Sequence, residues 1–281
     1  MGVNQGQVEA WNGGESVHYV DHADRYDRQL QPFAEALLAR VDIQPGQSVL
    51  DIGCGCGVTT LAAARRARSA LGVDISNPLI AVARERAHEQ AVGNVDFLVA
   101  DAQTHAFTPD SFDLVISQFG LMFFDDPVGA FSNLRRSIAP GGRIAFITWQ
   151  GLDANEWVSA VGDAVAQHGE LPTLGGMAGG PGMFAHKNPE EVSELLAAAG
   201  FTEFEVEPVT PDILIAGGAT VDESATFMLG MGIVRGLLGR LDDDARAQAV
   251  DAVRSTLGDH FEHGAGVSIG AAGWLYSARN A

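Results

Sequence analysis

The sequence predicts an α/β fold with a doubly wound, mostly parallel sheet. Short apolar segments at 48–52, 69–73, 95–99, 112–117 and 142–148 alternate with helical stretches near 57–67, 77–90 and 126–138. Strands that alternate with helices at this spacing pair in parallel through right-handed crossovers, so helices cover both faces of the sheet. Two predicted helix starts, at Asp126-Pro127 and Asn188-Pro189, place a capping side chain before a proline, which supports the helix assignments.

The rest of the chain is predicted to form a flank and a cap. Residues 16–40 carry apolar side chains at helical spacing, which predicts one or two amphipathic helices. Regular patterns also predict strands at 201–209 and 274–279 and helices near 188–199, 221–239 and 242–257. The Gly-rich segment 174–183 is typical of a mobile lid or surface loop. We therefore expect an N-terminal helical flank over 1–40 and a main domain over 41–281, with cap insertions near 151–187 and 212–265.

Composition and charge exclude several classes of protein. The chain has 281 residues, of which 46% are hydrophobic and 2 are cysteines, so neither intrinsic disorder nor a disulfide scaffold fits. A formal net charge of −19 opposes binding to nucleic acid or anionic lipid. The sequence lacks both a long apolar run and the pattern of a secretory signal. We therefore expect a cytoplasmic monomer or homodimer without nucleic-acid or membrane partners.

The strongest local signal is the segment 49–57, where a predicted strand runs directly into a loop with glycines at 53, 55 and 57. Glycines at such positions permit a tight turn and let the backbone approach a ligand closely. A dinucleotide-binding Gly-x-Gly-x-x-Gly pattern would need a third glycine at position 58, where Val58 stands. The spacing therefore disfavours a nicotinamide cofactor.

Polar residues also follow the next three predicted strands. Asp74 ends the second strand, where a carboxylate can accept hydrogen bonds from both hydroxyls of a ribose. Asp101 ends the third strand, and Ser117 and Gln118 end the fourth. Because the carboxyl ends of parallel strands meet at one edge of the sheet, these residues predict a cofactor site there. The pattern alone does not identify the cofactor.

Between about residues 47 and 149, these motifs resemble those of the class I S-adenosylmethionine-dependent methyltransferases. The resemblance implies a seven-stranded, Rossmann-like methyltransferase fold with a helical cap, and S-adenosylmethionine as cofactor. It assigns the methionine part of the cofactor to the loop with Asp51, Gly53, Gly55 and Gly57, the ribose to Asp74, and the adenine to Asp101 and Ala102. The further cofactor-binding candidates are Tyr26, Ile75, Ser117 and Gln118.

The flanks are similar to those of bacterial small-molecule methyltransferases of the ubiquinone- and menaquinone-methyltransferase-like type. The matching residues are Trp11, Asn12, 25–30, Phe123, Phe124, 154–157, Trp274 and Leu275. An acidic protein also suits a sulfonium cofactor that carries no phosphate. The residues after the fourth strand lack the Pro-Pro-aromatic pattern of enzymes that methylate nucleic-acid bases, so the resemblance implies a small organic acceptor, methylated at O, N or C.

Methyl transfer from a sulfonium is an in-line displacement that positioning and desolvation can drive. Where the acceptor must lose a proton, the candidate bases are His18, His22 and His186. His18 and His22 lack the His-Glu-x-x-His pattern of a metal pair, so we expect no metal. The large side chains predicted to line the acceptor pocket are Trp11, Tyr19, Trp157, Phe184 and Met228. Two alternatives stay open: an NAD-dependent oxidoreductase, and a cofactor-binding protein without turnover.

Overall fold

A computed structural model describes residues 3–168 and 180–281. The strands are β1 (Ser48–Ile52), β2 (Ser69–Asp74), β3 (Val95–Val99), β4 (Phe112–Gln118), β5 (Ile138–Trp149), β6 (Thr202–Val209), β7 (Asp212–Leu214), β8 (Phe261–Glu262), β9 (Gly266–Gly270) and β10 (Gly273–Arg279). The α-helices are α1 (Gln5–Trp11), α2 (Gly14–Asp21), α3 (Ala23–Val41), α4 (Val58–Ala64), α5 (Asn77–Glu89), α6 (Pro127–Ser137), α7 (Glu156–Ala166), α8 (Pro189–Ala198), α9 (Val221–Gly230), α10 (Gly232–Leu238) and α11 (Asp243–Asp259).

The main sheet has seven strands in the order β3-β2-β1-β4-β5-β10-β6. Strands β1 to β5 pair in parallel, whereas β10 runs antiparallel to both of its neighbours, β5 and β6. The chain order reverses direction at β1 and β4, which creates a crevice at their carboxyl ends where ligands of such sheets bind. The predicted fold class, a doubly wound and mostly parallel sheet of seven strands with extra helices, is confirmed.

The central strand β1 shows why this sequence forms a covered sheet. All five of its residues are buried. Val49 packs into the apolar cluster that includes Phe33 and Leu37 of α3, whereas Leu50 belongs to the cluster on the opposite face, with Phe131 of α6. Burying each of these side chains contributes roughly 1.5 to 3 kcal/mol. Leu50→Asp would therefore place a charge in the core and destabilise the central strand of the sheet.

The predicted elements of the main sheet agree closely with the structure, and β5 is the largest difference. It begins at Ile138, four residues before the predicted start at 142, because Phe112 pairs with Ile138 and the register then shifts before Leu114 pairs with Arg143. The predicted helix starts are confirmed: the side chain of Asp126 accepts from the Gly129 N–H, and that of Asn188 accepts from the Glu190 N–H.

The cap differs more from the prediction. The helix expected over 221–239 is two helices, α9 and α10, because the chain leaves the helical conformation at Met231 (ψ 140°) between two glycines. Helices α1 and α7 and a small three-stranded sheet in the order β7-β9-β8 were not predicted. The predicted Gly-rich lid lies mostly outside the described residues. The division into a flank over 1–40 and a main domain over 41–281 stays a prediction.

Two further properties concern the described part of the chain. None of its helices combines the length and the apolarity that a membrane crossing requires. Within residues 3–168 and 180–281, His, Cys, Asp and Glu side chains form no group of three or more that is placed to hold a metal ion.

Candidate functional site

A cavity of about 730 Å³ lies at the carboxyl ends of β1 to β4. Such a volume falls in the range of small-molecule and cofactor sites. Its floor is formed by the loops that follow these strands, and its walls come from α1, α2, α3 and α10 and from Trp157 of α7. The cavity therefore joins the predicted cofactor edge of the sheet to the cap.

The glycine-rich loop after β1 forms one side of the cavity. Its backbone takes left-handed φ values of +65° at Gly53 and +53° at Gly55. A Cβ on Gly53 would lie 2.7 Å from the Cα of Gly120, so this loop packs directly against the loop after β4. A Cβ on Gly55 would meet no atom within 4 Å, and Gly55 lines the cavity. A glycine is therefore required at position 53 for the two loops to pack together, whereas Gly55 leaves space beside the cavity.

Asp74, at the end of β2, holds the glycine-rich loop in place. Its Oδ2 accepts a hydrogen bond from the Gly55 N–H at 2.8 Å, and its Oδ1 accepts one from the Ser76 N–H at 2.9 Å. Burial raises the pKa of this carboxyl, and the N–H donors act in the opposite direction. Each carboxylate oxygen can accept more than one hydrogen bond, so Asp74 can still receive hydroxyl groups from a ligand in the cavity.

Helix α1 covers the same end of the cavity through two asparagines. The Asn4 Nδ2 donates to Asp101 Oδ1 at 2.9 Å, and the Asn4 N–H donates to Asp125 Oδ2 at 2.7 Å. Asn12 donates to the Ile75 carbonyl at 3.1 Å and accepts from the Asn77 N–H at 2.9 Å. These bonds fix α1 across the loops that follow β2 and β3.

Asp51 lies below the loop and is fully buried. Its Oδ2 accepts hydrogen bonds from the hydroxyls of Thr59 and Thr60, both at 2.6 Å, whereas its Oδ1 has no hydrogen-bond partner in the described structure. Burial raises the pKa of Asp51 to about 6, despite the two hydroxyl donors. Asp51 therefore supports the loop from beneath, and burial makes its ionised form unfavourable near neutral pH.

The raised pKa of Asp51 predicts how stability changes with pH. The folded state holds the proton to higher pH than the unfolded state, so ionisation lowers stability as the pH rises from about 4 to about 6. The pKa difference corresponds to a loss of about 3 kcal/mol. We expect Asp51→Asn to gain that amount relative to the parent protein between about pH 4 and pH 7. Urea unfolding of both proteins at about pH 4 and about pH 7 measures the difference between their unfolding free energies. If that difference is the same at both pH values, the raised pKa of Asp51 is contradicted.

The second half of the cavity is aromatic. Phe119 and Trp149 stack with ring centroids 4.0 Å apart, and Trp157 lies 5.3 Å from Trp149. Tyr19 of α2 and Tyr26 of α3 also stack, with ring centroids 4.1 Å apart. All five rings line the cavity. This half can therefore hold a flat apolar molecule by packing and exclude water from it.

The structure brings most of the predicted site residues together. Those that line the cavity are Trp11, Tyr19, Tyr26, Gly53, Gly55, Asp74, Ile75, Asp101, Ala102, Gln118 and Trp157. The others lie behind the lining: Asp51, Gly57 and Ser117 beneath the loops, and Phe184 and Met228 within the apolar core. In this structure they support the walls, and their predicted roles in binding stay predictions.

The three candidate histidines also lie outside the cavity lining. His186 is buried beside Phe131, with ring centroids 6.2 Å apart, and burial lowers its pKa. His18 and His22 lie on either side of the end of α2, with ring centroids 4.6 Å apart. His18 alone of the three is described with a hydrogen bond to a lining side chain: its Nδ1 lies 2.9 Å from the Tyr26 hydroxyl. Burial lowers the pKa of His18 to about 4, so the ring is neutral at neutral pH.

Sequence reasoning missed several lining residues, namely Glu15, Asp27, Gln29, Trp149 and Arg240. Trp149 ends β5, the strand next to β4, so the strand-end pattern extends to a fifth strand. Tyr26, Leu30 and Ala34 are spaced by four residues on α3, which marks the helix face that turns to the cavity. Arg240 follows α10 in the cap, where the sequence carries no comparable signal.

Comparisons with known proteins agree with this geometry. A family model described as a methyltransferase domain matches residues 50–146. The chain is 32% identical to nocamycin O-methyltransferase of Saccharothrix syringae over 183 residues, which are 62% of this chain and 65% of that protein. It is 31% identical to demethylmenaquinone methyltransferase of Thermus thermophilus over 172 residues, which are 55% of this chain and 74% of that protein.

The first of these relatives is thus matched over slightly less than two thirds of its length. Among solved structures, the YcgJ protein of Bacillus subtilis superposes with a TM-score of 0.55 at 20% identity, over 88% of this chain and 97% of that one. This likeness shows the shared fold.

Proposed function

Because the chain belongs to the class I S-adenosylmethionine-dependent methyltransferases, we propose that it transfers a methyl group from S-adenosylmethionine to an apolar small-molecule acceptor. One observation carries the proposal: a single cavity joins the polar strand ends to an aromatic chamber. The cofactor and the acceptor can then meet without water between them. The acceptor atom is O, N or C.

The residues of the polar half fit the cofactor. Asp74 would hold the ribose with its free lone pairs, Asp101 and Ala102 would flank the adenine, and the loop with Gly53 and Gly55 would hold the methionine part. The open space at Gly55 supports this assignment, since a side chain there would occupy part of the cavity. When bound, the cofactor supplies a methyl group that is already activated on a sulfonium.

Besides binding the cofactor, the residues of this chain would orient the acceptor and exclude water. The stacked rings of Phe119 and Trp149 hold a flat acceptor, and α1 covers the polar end of the cavity. Because both reactants are held in line, the transfer step no longer includes the entropy cost of bringing them together. Where the acceptor must lose a proton, His18 is the candidate that reaches the cavity, through the Tyr26 hydroxyl. His22 and His186 lack a described hydrogen bond to the lining.

Thermal unfolding with added ligands tests cofactor binding. We expect S-adenosylmethionine and S-adenosylhomocysteine to raise the melting temperature, and NAD to leave it unchanged. A ligand present at about 100 times its dissociation constant stabilises the folded state by about 2.7 kcal/mol. A shift with NAD alone would contradict the proposal and favour the oxidoreductase alternative.

Turnover separates an enzyme from a cofactor-binding protein without activity. The protein is incubated with cofactor labelled on its methyl group and a panel of aromatic hydroxy, amino and carboxylic acid compounds, and the whole reaction mixture is separated by chromatography and analysed for label. We expect transfer to at least one apolar member of the panel. Label found only in strongly polar compounds would contradict the role of the aromatic chamber.

A further inference from the structure

One basic side chain lines the described part of the cavity, and it belongs to Arg240, just after the end of α10. From its environment we infer that the acceptor carries an anionic group that pairs with Arg240. This inference rests on the proposed function, because it names the chemical class of the molecule that fills the aromatic half. The acceptor is then a flat apolar body with one carboxylate, sulfonate or similar anion.

The acidic lining side chains already have partners. Glu15 pairs with Arg235 at 2.9 Å, and Asp27 pairs with Arg86 at 2.7 Å. Asp74 accepts from backbone N–H groups, and Asp101 accepts from Asn4. The four carboxylates of the cavity wall are therefore already paired with other groups of the protein.

Four of the polar side chains that line the cavity also have partners within the protein. The Trp157 Nε1 donates to Asn155 Oδ1 at 3.2 Å, and the Tyr26 hydroxyl bonds His18. Gln29 accepts from the Ala216 N–H, and Gln118 donates to the Leu30 carbonyl. These four groups are thus already engaged, and much of the remaining wall consists of aromatic rings.

Arg240 is different. No hydrogen bond or ion pair to its guanidinium occurs within the described ranges 3–168 and 180–281. Two acids that follow it closely in the sequence contact other groups: Asp242 caps α11 by accepting from the Ala245 N–H at 2.9 Å, and Asp243 lies 3.9 Å from Arg246. In a chain with 36 acidic and 17 basic residues, this cation at the wall is left available for a ligand.

The position of Arg240 suits the far end of an acceptor. It is exposed, and Gly236 of α10, which also lines the cavity, carries no side chain. An anion at the mouth keeps part of its hydration while the apolar body is buried. An exposed ion pair contributes modestly to affinity, so its role is to select acceptors by charge and orientation.

Two fluorescent probes of the same ring system test the inference. Anilinonaphthalene sulfonate carries one anion, and N-phenylnaphthylamine is its neutral counterpart. Both are titrated into the full chain saturated with S-adenosylhomocysteine, and into the chain alone. We expect Arg240→Gln to weaken the anionic probe about fivefold and to leave the neutral probe nearly unchanged. Raising the salt from about 0.05 to 0.5 M should weaken the anionic probe with the parent protein only.

Two variants serve as controls. Arg254→Gln removes an exposed arginine outside the cavity lining and should change neither probe. Gly236→Phe adds a ring at a lining position where an added Cβ meets no atom within 4 Å, and we expect it to weaken binding of both probes. The inference is overturned if Arg240→Gln weakens both probes equally or neither.

The same titrations separate this inference from the proposed function. Charge-selective binding that depends on Arg240, in a chain that does not bind S-adenosylhomocysteine, would leave the anion subsite standing and contradict the proposed cofactor. Cofactor binding together with equal affinity for both probes would overturn the subsite and leave the methyltransferase proposal intact.

Discussion

Replacing Gly53 by alanine is expected to destabilise the folded protein by about 3 kcal/mol. The added Cβ would lie 2.7 Å from the Cα of Gly120, which is backbone and cannot rotate away. The residue also has a φ of +65°, where a side chain costs further energy. Both loops that carry the cofactor edge must move apart to accept the change. Urea unfolding monitored by circular dichroism measures the loss.

Gly55→Ala is the matched control in the same loop, and its expected result is the opposite. An added Cβ there meets no atom within 4 Å, so the stability loss is limited to about 1 kcal/mol of backbone strain. Its methyl group, however, occupies the cavity side of the loop, and we expect binding of S-adenosylhomocysteine to be lost. An equal loss of folding stability in both variants, or unchanged ligand binding by Gly55→Ala, would contradict the loop geometry.

Asp74→Ala is expected to lower the affinity for S-adenosylhomocysteine by at least about tenfold. The carboxylate contributes twice: it would accept the ribose hydroxyls, and it holds the N–H groups of Gly55 and Ser76. Hydrogen bonds to a charged group contribute roughly 1.5 to 3 kcal/mol each, less the cost of desolvation. Isothermal titration calorimetry of the folded variant measures the effect.

Two further variants make the Asp74 result specific. Asp96→Ala removes an exposed acid from β3, outside the cavity lining, and should bind the ligand normally. Asp74→Asn keeps one acceptor oxygen for the loop and should lose less affinity than Asp74→Ala. If Asp74→Ala binds as tightly as the parent protein, the ribose lies elsewhere.

The main sheet was readable from the sequence because its signals are local and repeated. A strand such as β1 is buried on both faces, so its positions are apolar except for Ser48 and Asp51, whose side chains hydrogen-bond neighbouring hydroxyls. The helix starts at Asp126 and Asn188 depend on residues within three positions of each other. These features need no knowledge of distant contacts, and they also mark the strand ends where the site lies.

The cap could not be derived in the same way. Strands β7 and β8 have 3 and 2 residues, which is too short for alternation to be visible. The break at Met231 lies within an apolar stretch whose spacing fits one continuous helix. Arg240 and Trp149 reach the cavity only because distant elements pack around it. Which side chains line an acceptor chamber is thus decided by tertiary packing, not by spacing along the chain.

The way α1 is attached has a kinetic consequence. The helix buries none of its own residues and is fixed at its ends by Asn4 and Asn12, across the loops that would hold the nucleoside. Because these few hydrogen bonds lie across the predicted nucleoside site, we expect a bound cofactor to dissociate more slowly while they are formed. Under the proposed function, opening of α1 would then limit how fast the demethylated product is released.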